Sequence, residues 1–396
     1  MGNLAWAEDA LLKVLTKEKA VVSRNYDKLP YTAIDHVFDD KTKDNVCWWT
    51  NGFYGGMLWL LYKETADEEY KKAAERIEEK LDANFLDYNG MDHDSGFKWL
   101  LTAVANYRFT GNDKSKNRGL LAAANLAGRY NINGKFIRAW NDWGDGRDTT
   151  GWAIIDCMMN LPLLYWASDV LDDPRFKAIA VSHADTAMEW FIREDGSSRH
   201  IVQFNTEKEE FIREYGGQGY DEGTAWTRGQ SWAIYGFVMS YIHTGDLRYL
   251  ETAMRVADFF VEHIPESGLI PVDFLQPEEP SYEDSTASAI SSCGLLHLAD
   301  ELTKLKEKAE SGITDADAEL LNKLVNASFV KYSGAALKMM ETLTKERCDF
   351  DKEHDDLLIN CTAAYHDKDH HFPIIYGDYY YIEALLYILG KGEYLW

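Results

Sequence analysis

The chain has 396 residues and a net charge of −25, from 41 basic and 66 acidic side chains, which argues against nucleic acid or an anionic membrane as a partner. Hydrophobic residues make up 46%, enough for a large core, and no shift of composition divides residues 1–396, so a single domain is expected. The five cysteines are widely spaced without a CxxC pair, the first residues lack the basic and apolar regions of a signal peptide, and no apolar stretch is long enough to cross a bilayer, so a soluble, cytoplasmic protein is expected.

Apolar residues recur at helical spacing over 10–19, 55–63, 68–85, 96–109, 116–129, 152–171, 175–192, 228–243, 247–263, 285–306, 315–344 and 378–389. Within this series a loose repeat returns: Leu-Leu-Tyr-Lys-Glu-Thr-Ala-Asp at 60–67, Ala-Asn-Tyr-Arg-Phe-Thr-Gly-Asn at 105–112, Ser-Tyr-Ile-His-Thr-Gly-Asp-Leu at 240–247, and a more distant copy at 165–174. Each copy ends a helix on an aromatic residue, turns, and opens a second helix, which is a helical hairpin. Large, irregular insertions fit a closed ring better than an open array, and about six hairpins make an all-α (α/α)6 barrel.

The insertions are where chemistry is expected, because loops on a rigid scaffold carry sites. Residues 131–151 hold Trp140, Asn141, Asp142 and Trp143; residues 194–224 hold His200 and Gln218 and read as a short β-hairpin around 201–204 and 210–214. Residues 265–284 carry four prolines, and residues 360–377 carry His366, His370 and His371.

Asp156 stands alone in the apolar run 152–165, with Asn160 four positions on. If the segment is helical, the two share a face and Asp156 lies inside the helix, where desolvation raises a carboxyl above its free value of roughly 3.9. Such a group is either a proton donor near neutral pH or a buried Asp satisfied by backbone and hydroxyl groups. Asp94, in Met-Asp-His-Asp-Ser-Gly-Phe at 91–97, is either the N-cap of the next helix or a second carboxylate facing the same cavity from a neighbouring hairpin.

Arg228 sits at a helix start, where a cation opposes the helix dipole; it pairs either with a substrate carboxylate or with a local acid such as Asp221 or Glu222. Trp232, one turn later, either stacks on a sugar or fills the core. A metal site is not expected: His370 and His371 are adjacent, and Pro373 argues against a helix that would pair His366 with His370. Nucleotide-binding and serine-nucleophile motifs are absent from the sequence.

Six segments in order carry a resemblance to a family: Trp-Thr-Asn-Gly-Phe-Tyr-Gly-Gly-Met-Leu-Trp at 49–59, His93-Asp94 with Gly96-Phe97, Ile-Asp-Cys-Met-Met-Asn-Leu-Pro at 155–162, Gly-Gln-Gly at 217–219, Thr-Arg-Gly-Gln-Ser-Trp-Ala-Ile-Tyr-Gly at 227–236, and Ile-Tyr-Gly-Asp-Tyr-Tyr at 375–380. Over nearly the whole chain this resembles the unsaturated glucuronyl hydrolases, glycoside hydrolase family 88. The resemblance implies an (α/α)6 barrel that removes a 4,5-unsaturated uronic acid from the non-reducing end of lyase-made oligosaccharides, such as chondroitin or hyaluronan disaccharides, by hydrating a vinyl ether. It implies Asp156 as general acid/base and Asp94 as the second essential carboxyl. His200, Gln218, Arg228 and Trp140 look like substrate contacts, with Asn51, His93 and Trp232 also lining the pocket, and no metal or cofactor is implied. Relatives that prefer sulfated disaccharides carry serines and a lysine in a C-terminal loop. The matching stretch 365–373 has no serine, and Asp367 and Asp369 beside Lys368 favour an unsulfated substrate. The alternative is the sister family acting on unsaturated rhamnogalacturonan fragments by the same chemistry; a monomer or homodimer is expected in either case.

Overall fold

A computed structural model describes residues 4–310, 318–326, 329–392 and 395–396. Its helices alternate between an inner and an outer ring. The inner ones are Phe53–Thr65, a run through Ser95–Trp99, the π-helical turn Leu100–Val104 and Ala105–Thr110, then Leu161–Leu171, Thr227–Thr244, Ser285–Glu310 and Ile375–Ile388. They are apolar nearly all round and buried nearly all round, as helices enclosed on every side must be. The outer ones, Ala5–Arg24, Glu68–Leu81, Asp113–Gly128, Pro174–Trp190, Leu247–Glu262 and Phe329–Glu346, bury one face each. Successive inner helices pack side by side, Ile375–Ile388 meets Phe53–Thr65, and Ala5–Arg24 packs on Ile375–Ile388, so the ring closes as an (α/α)6 barrel. Of the expected pair over 315–344, the helices Ala318–Val325 and Phe329–Glu346 are seen, and 315–317 lie outside the described residues.

The repeated turn has one mechanism. A left-handed residue ends the inner helix, at Gly111 and Gly245 (φ 74° each), Ala66 (φ 54°) and Asp172 (φ 52°). The next residue, Asn112, Asp246, Asp67 or Asp173, caps the outer helix by accepting a backbone N–H two positions on. The barrel axis is filled by aromatic rings, among them Phe53, Phe97, Tyr380 and Trp396. Trp232 belongs to this core: it is fully buried and packs on Phe97 and Tyr380, so its expected place in the substrate pocket is corrected.

Among the described residues, three small antiparallel sheets interrupt the helices. The expected hairpin forms from Ile201–Phe204 and Phe211–Tyr215, but it takes a third strand, Trp152–Ile154, from the segment read as helix. The single helix expected over 152–171 is therefore a strand, a 3-10 turn at Ile155–Met159, and a helix that begins at Leu161 with Pro162 in its first turn. Ladder bonds to a distant strand outweigh local helical spacing here. Gly151 permits the approach, since a Cβ there would lie 2.2 Å from the carbonyl oxygen of Phe204.

Candidate active site

The three-stranded sheet lies over one end of the barrel and brings the insertions together. Register pairs Ile154 with Ile201, and the N–H of Ile155 donates to the carbonyl of His200 at 3.1 Å. Strand alternation then sends Ala153 and Val202 into the main core, while Trp152, Ile154 and Ile201 form a separate apolar patch with Trp140 and Tyr215 packed on it. That patch is one wall of a cleft of about 820 Å³. The opposite side comes from Trp48, Trp49 and residues 87–94, and Ala364 and Asp367 close one edge.

Asp156 sits half-buried on the 3-10 turn at the cleft floor, and its Oδ1 has no hydrogen-bond partner among the described residues. Desolvation raises its carboxyl to about 7, against the partial opposition of the Arg228 charge. Asp94 is buried, and its side chain makes no cap bond to the helix that follows, so the N-cap reading does not hold. Asp94 Oδ1 instead accepts from Asn160 Nδ2 at 3.3 Å, and the same nitrogen donates to the carbonyl of Asp156 at 3.2 Å. Burial, then Asp92, then Asp156 hold the Asp94 carboxyl well above the ordinary range. The two acids, joined through the Asn160 amide, titrate as a pair.

Asn160 is the joint between the two acids. Its Oδ1 accepts the Phe97 N–H at 2.9 Å, and Gly96 lies so close that a Cβ there would stand 2.6 Å from the Asn160 Cα. Gly96→Ala is expected to displace Asn160, cost about 1–3 kcal/mol in stability, and lower kcat/KM by more than the loss of folded protein accounts for. Thermal melts and steady-state kinetics at a temperature where both proteins are folded check this.

The histidines are neutral donors. Burial pushes His200 down to about 3 and His93 down to about 4. His200 Nδ1 lies 3.0 Å from the Gln218 N–H and 3.2 Å from the Gly216 carbonyl, so the ring is anchored at that nitrogen. Gly217, at φ 60°, makes room: a Cβ would meet that ring nitrogen at 2.1 Å. His93 Nε2 lies 3.5 Å from Asp94 Oδ1.

The expected residues Asp156, Asp94, His200, Gln218, Trp140 and His93 thus converge on the cleft, and Asn51, Arg228 and Trp232 do not line it. Asn51 is buried, its amide donating to the carbonyls of Asn45 and Val46 at 3.1 and 2.9 Å. Arg228 is buried as well. Its guanidinium bonds Asp284 and the carbonyls of Thr362 and Ala363, and it stacks on Trp226, whose other neighbour is His200. The local acids Asp221 and Glu222 are not its partners; Asp284 is.

Sequence reasoning passed over Trp152, Tyr215 and Arg147, which line the cleft; Arg147 stacks on Trp143 and Trp152. Their signal was the aromatic content of the same insertions. The histidines of 360–377 disperse: His366 reaches the Tyr220 carbonyl, His370 the Tyr365 carbonyl, and His371 accepts the Glu283 N–H.

The chain matches the model of Glycosyl Hydrolase Family 88 over residues 21–316. It is 36% identical over 360 residues to the unsaturated glucuronyl hydrolase of Bacillus sp. (strain GL1), covering 89% of each chain. It is 30% identical to the unsaturated chondroitin disaccharide hydrolase of Streptococcus pyogenes serotype M1, covering 85% of this chain and 80% of that one. The crystal structure of the Bacillus sp. GL1 enzyme superposes with a TM-score of 0.84 at 32% identity, over 98% of this chain and 99% of that one. A solved unsaturated glucuronyl hydrolase specific for heparin superposes with a TM-score of 0.82 at 26% identity, over 99% of this chain and all of that one. An acid cleft on a helical toroid, a match over most of the length and relatives of one catalytic type converge: the chain is a glycosidase and belongs to glycoside hydrolase family 88.

Proposed function

We propose that the chain releases 4,5-unsaturated glucuronic acid from the non-reducing end of glycosaminoglycan-type disaccharides, with Asp156 as the acid and base. The observation that carries this reading is Asp156 on the floor of an aromatic cleft, with its buried Oδ1 unpartnered among the described residues and its carboxyl lifted by burial to about 7. A carboxyl that still holds its proton near neutrality can deliver it to C4 of the vinyl ether. The carboxylate so formed takes a proton from water as the oxygen adds at C5; the hemiketal then opens and the glycosidic bond is lost. The Arg228 charge behind it stabilises the Asp156 anion between the two steps, and Asn160 links that group to Asp94.

Substrate contact falls to neutral donors and flat rings. His200 and Gln218 line the cleft together and suit the substrate carboxylate, with Trp140 against the planar ring. Asp367 lines the same cleft, while Asp369 and Lys368 do not, so the edge there is acidic and disfavours a sulfate.

Loss of the C4–C5 double-bond absorbance tests the reading. Unsulfated unsaturated chondroitin disaccharide is expected to turn over faster than its sulfated form and than an unsaturated rhamnogalacturonan disaccharide, and a saturated glucuronide is expected to stay intact. Because the free enzyme must hold its proton, kcat/KM should fall as pH rises through about 7. Ready hydrolysis of the saturated glucuronide, or a rate that climbs above pH 7, overturns the assignment.

A further inference from the structure

The geometry points to a divalent transition-metal site at the barrel surface, formed by His36, Asp349 and His354 with Asp356 beside His36, and suited to zinc. It joins elements far apart in the chain, since His36 and Asp356 are separated by 320 positions. The imidazoles of His36 and His354 are stacked, with centroids 3.7 Å apart and planes 7° apart. His354 Nδ1 stands 2.6 Å from Asp349 Oδ2, His36 Nδ1 stands 3.9 Å from that same oxygen, and His36 Nδ1 stands 3.1 Å from Asp356 Oδ1.

The ligand atoms of His36, Asp349 and His354 all lie within 4.8 Å of one another. Tetrahedral zinc with bonds of about 2.0–2.1 Å holds its ligand atoms about 3.3 Å apart. The observed spacings straddle that edge length, so shifts of about an ångström bring the three ligand atoms onto one ion and leave a fourth position for water. The N2O set of two imidazoles and one carboxylate suits zinc, nickel or copper over magnesium or calcium, and the Asp356 carboxylate beside His36 balances the remaining charge. The remaining oxygen, Asp349 Oδ1, accepts the Asp351 N–H at 2.8 Å with Lys17 Nζ at 4.0 Å, which turns Oδ2 toward the histidines. The Asp356 side chain is 1% exposed and the His36 side chain 50%, so the carboxylate forms the floor and the imidazole the open side by which an ion enters.

The backbone adds an independent sign. His36 and its neighbour Asp35 form the turn between the strands Ala33–Ile34 and Val37–Phe38, and both hold positive φ, 63° and 49°. This turn ordinarily takes Asn-Gly, and a histidine there costs of order 1 kcal/mol that something else must offset. The strain points the imidazole at the loop 348–358. That loop is already stapled to the turn: the Asp355 N–H donates to the His36 carbonyl at 2.9 Å, and Asp355 Oδ2 accepts the Phe38 N–H at 3.0 Å. The ion would clamp this N-terminal hairpin to the loop whose Leu357 and Leu358 N–H groups bond Asp378 in the last inner helix.

Zinc chloride is the probe. The full chain, stripped with chelator, is titrated by calorimetry and then assayed for bound zinc after gel filtration. One zinc per chain is expected, with Tm raised by about 3 °C at a hundredfold excess over Kd. His36→Gly removes a ligand and relieves the positive φ at once. Without zinc it should melt at or above the wild-type temperature, and both the bound zinc and the zinc-dependent shift should vanish. Asp349→Asn, which keeps the turn unchanged, should also lose the zinc. Wild type that binds no zinc, or His36→Gly that retains one zinc per chain, overturns the proposal.

Discussion

Asp156→Asn is expected to abolish turnover and, at the same time, to stabilise the folded chain. Loss of a positioned proton donor and acceptor costs about 10²–10⁴-fold in rate, so kcat/KM should drop at least a hundredfold. The stability gain follows from linkage. The Asp156 carboxyl titrates at about 7 in the fold and near 3.9 when the chain is unfolded. Stability from holding the proton is fully present below the unfolded value and is lost as pH rises through the folded one. The penalty for ionising the group in its apolar setting therefore builds from about pH 4 and is complete above about pH 7. Asparagine never bears it. Denaturant melts of both proteins should coincide near pH 4 and separate by about 2–4 kcal/mol at pH 8, with the variant the more stable. Other buried acids, such as Glu18 and Asp378, are raised to about 8 and act on both proteins alike, so the difference between the two reports residue 156 together with Asp94, with which it titrates. A variant that keeps a tenth of wild-type activity, or a gap that does not grow with pH, would remove Asp156 from its role. A residue that is inert chemically and merely well packed would give neither result, and one that is only structural would lose stability on substitution.

The helical ring was legible because its signal is local. Each turn needs a left-handed residue and then a cap within two positions, and Thr-Gly-Asp spells that out at 244–246. Burial of Asp156 was legible for the same reason, since its neighbours in sequence are its neighbours in space. The readings that failed were ones set by distant partners. The strand Trp152–Ile154 exists only because Ile201–Phe204 runs beside it, and an apolar run of that length has helical and extended readings of equal local merit. Trp232 and Arg228 share one helix face (i, i+4), and nothing local says that this face turns to the barrel core and not to the cleft. Asn51 was read from its motif alone, and its amide is spent on the carbonyls of Asn45 and Val46. The cluster at His36 was invisible for a similar reason: its members come from opposite ends of the chain.

Arg228 carries the second large effect. Its partner Asp284, 56 positions away, is fully buried, and Asp284 Oδ1 also accepts from Thr286 and from the Thr362 N–H at 3.3 Å. The pair thus ties the start of one inner helix to the start of the next and to the loop that carries Ala364 and Asp367 to the cleft edge. Arg228→Met leaves a buried carboxylate and two carbonyls without their donor, at a cost of about 3–5 kcal/mol, or about 4–6 °C in Tm for a chain of this size. Adding Asp284→Asn removes the orphaned charge while keeping an acceptor for Thr286 and Thr362, so the double variant should recover much of the loss. The active site then reads out a second, separate consequence. The Arg228 charge opposes the desolvation that lifts Asp156. Without it the Asp156 carboxyl rises further, and the alkaline limb of kcat/KM should move above pH 7 in the single and the double variant alike. A direct contact to the substrate carboxylate predicts otherwise: KM would rise steeply, the limb would stay in place, and the partner substitution at 284 would rescue nothing. The pH profile of the double variant therefore separates a buried charge that tunes the acid from a cation that grips the sugar.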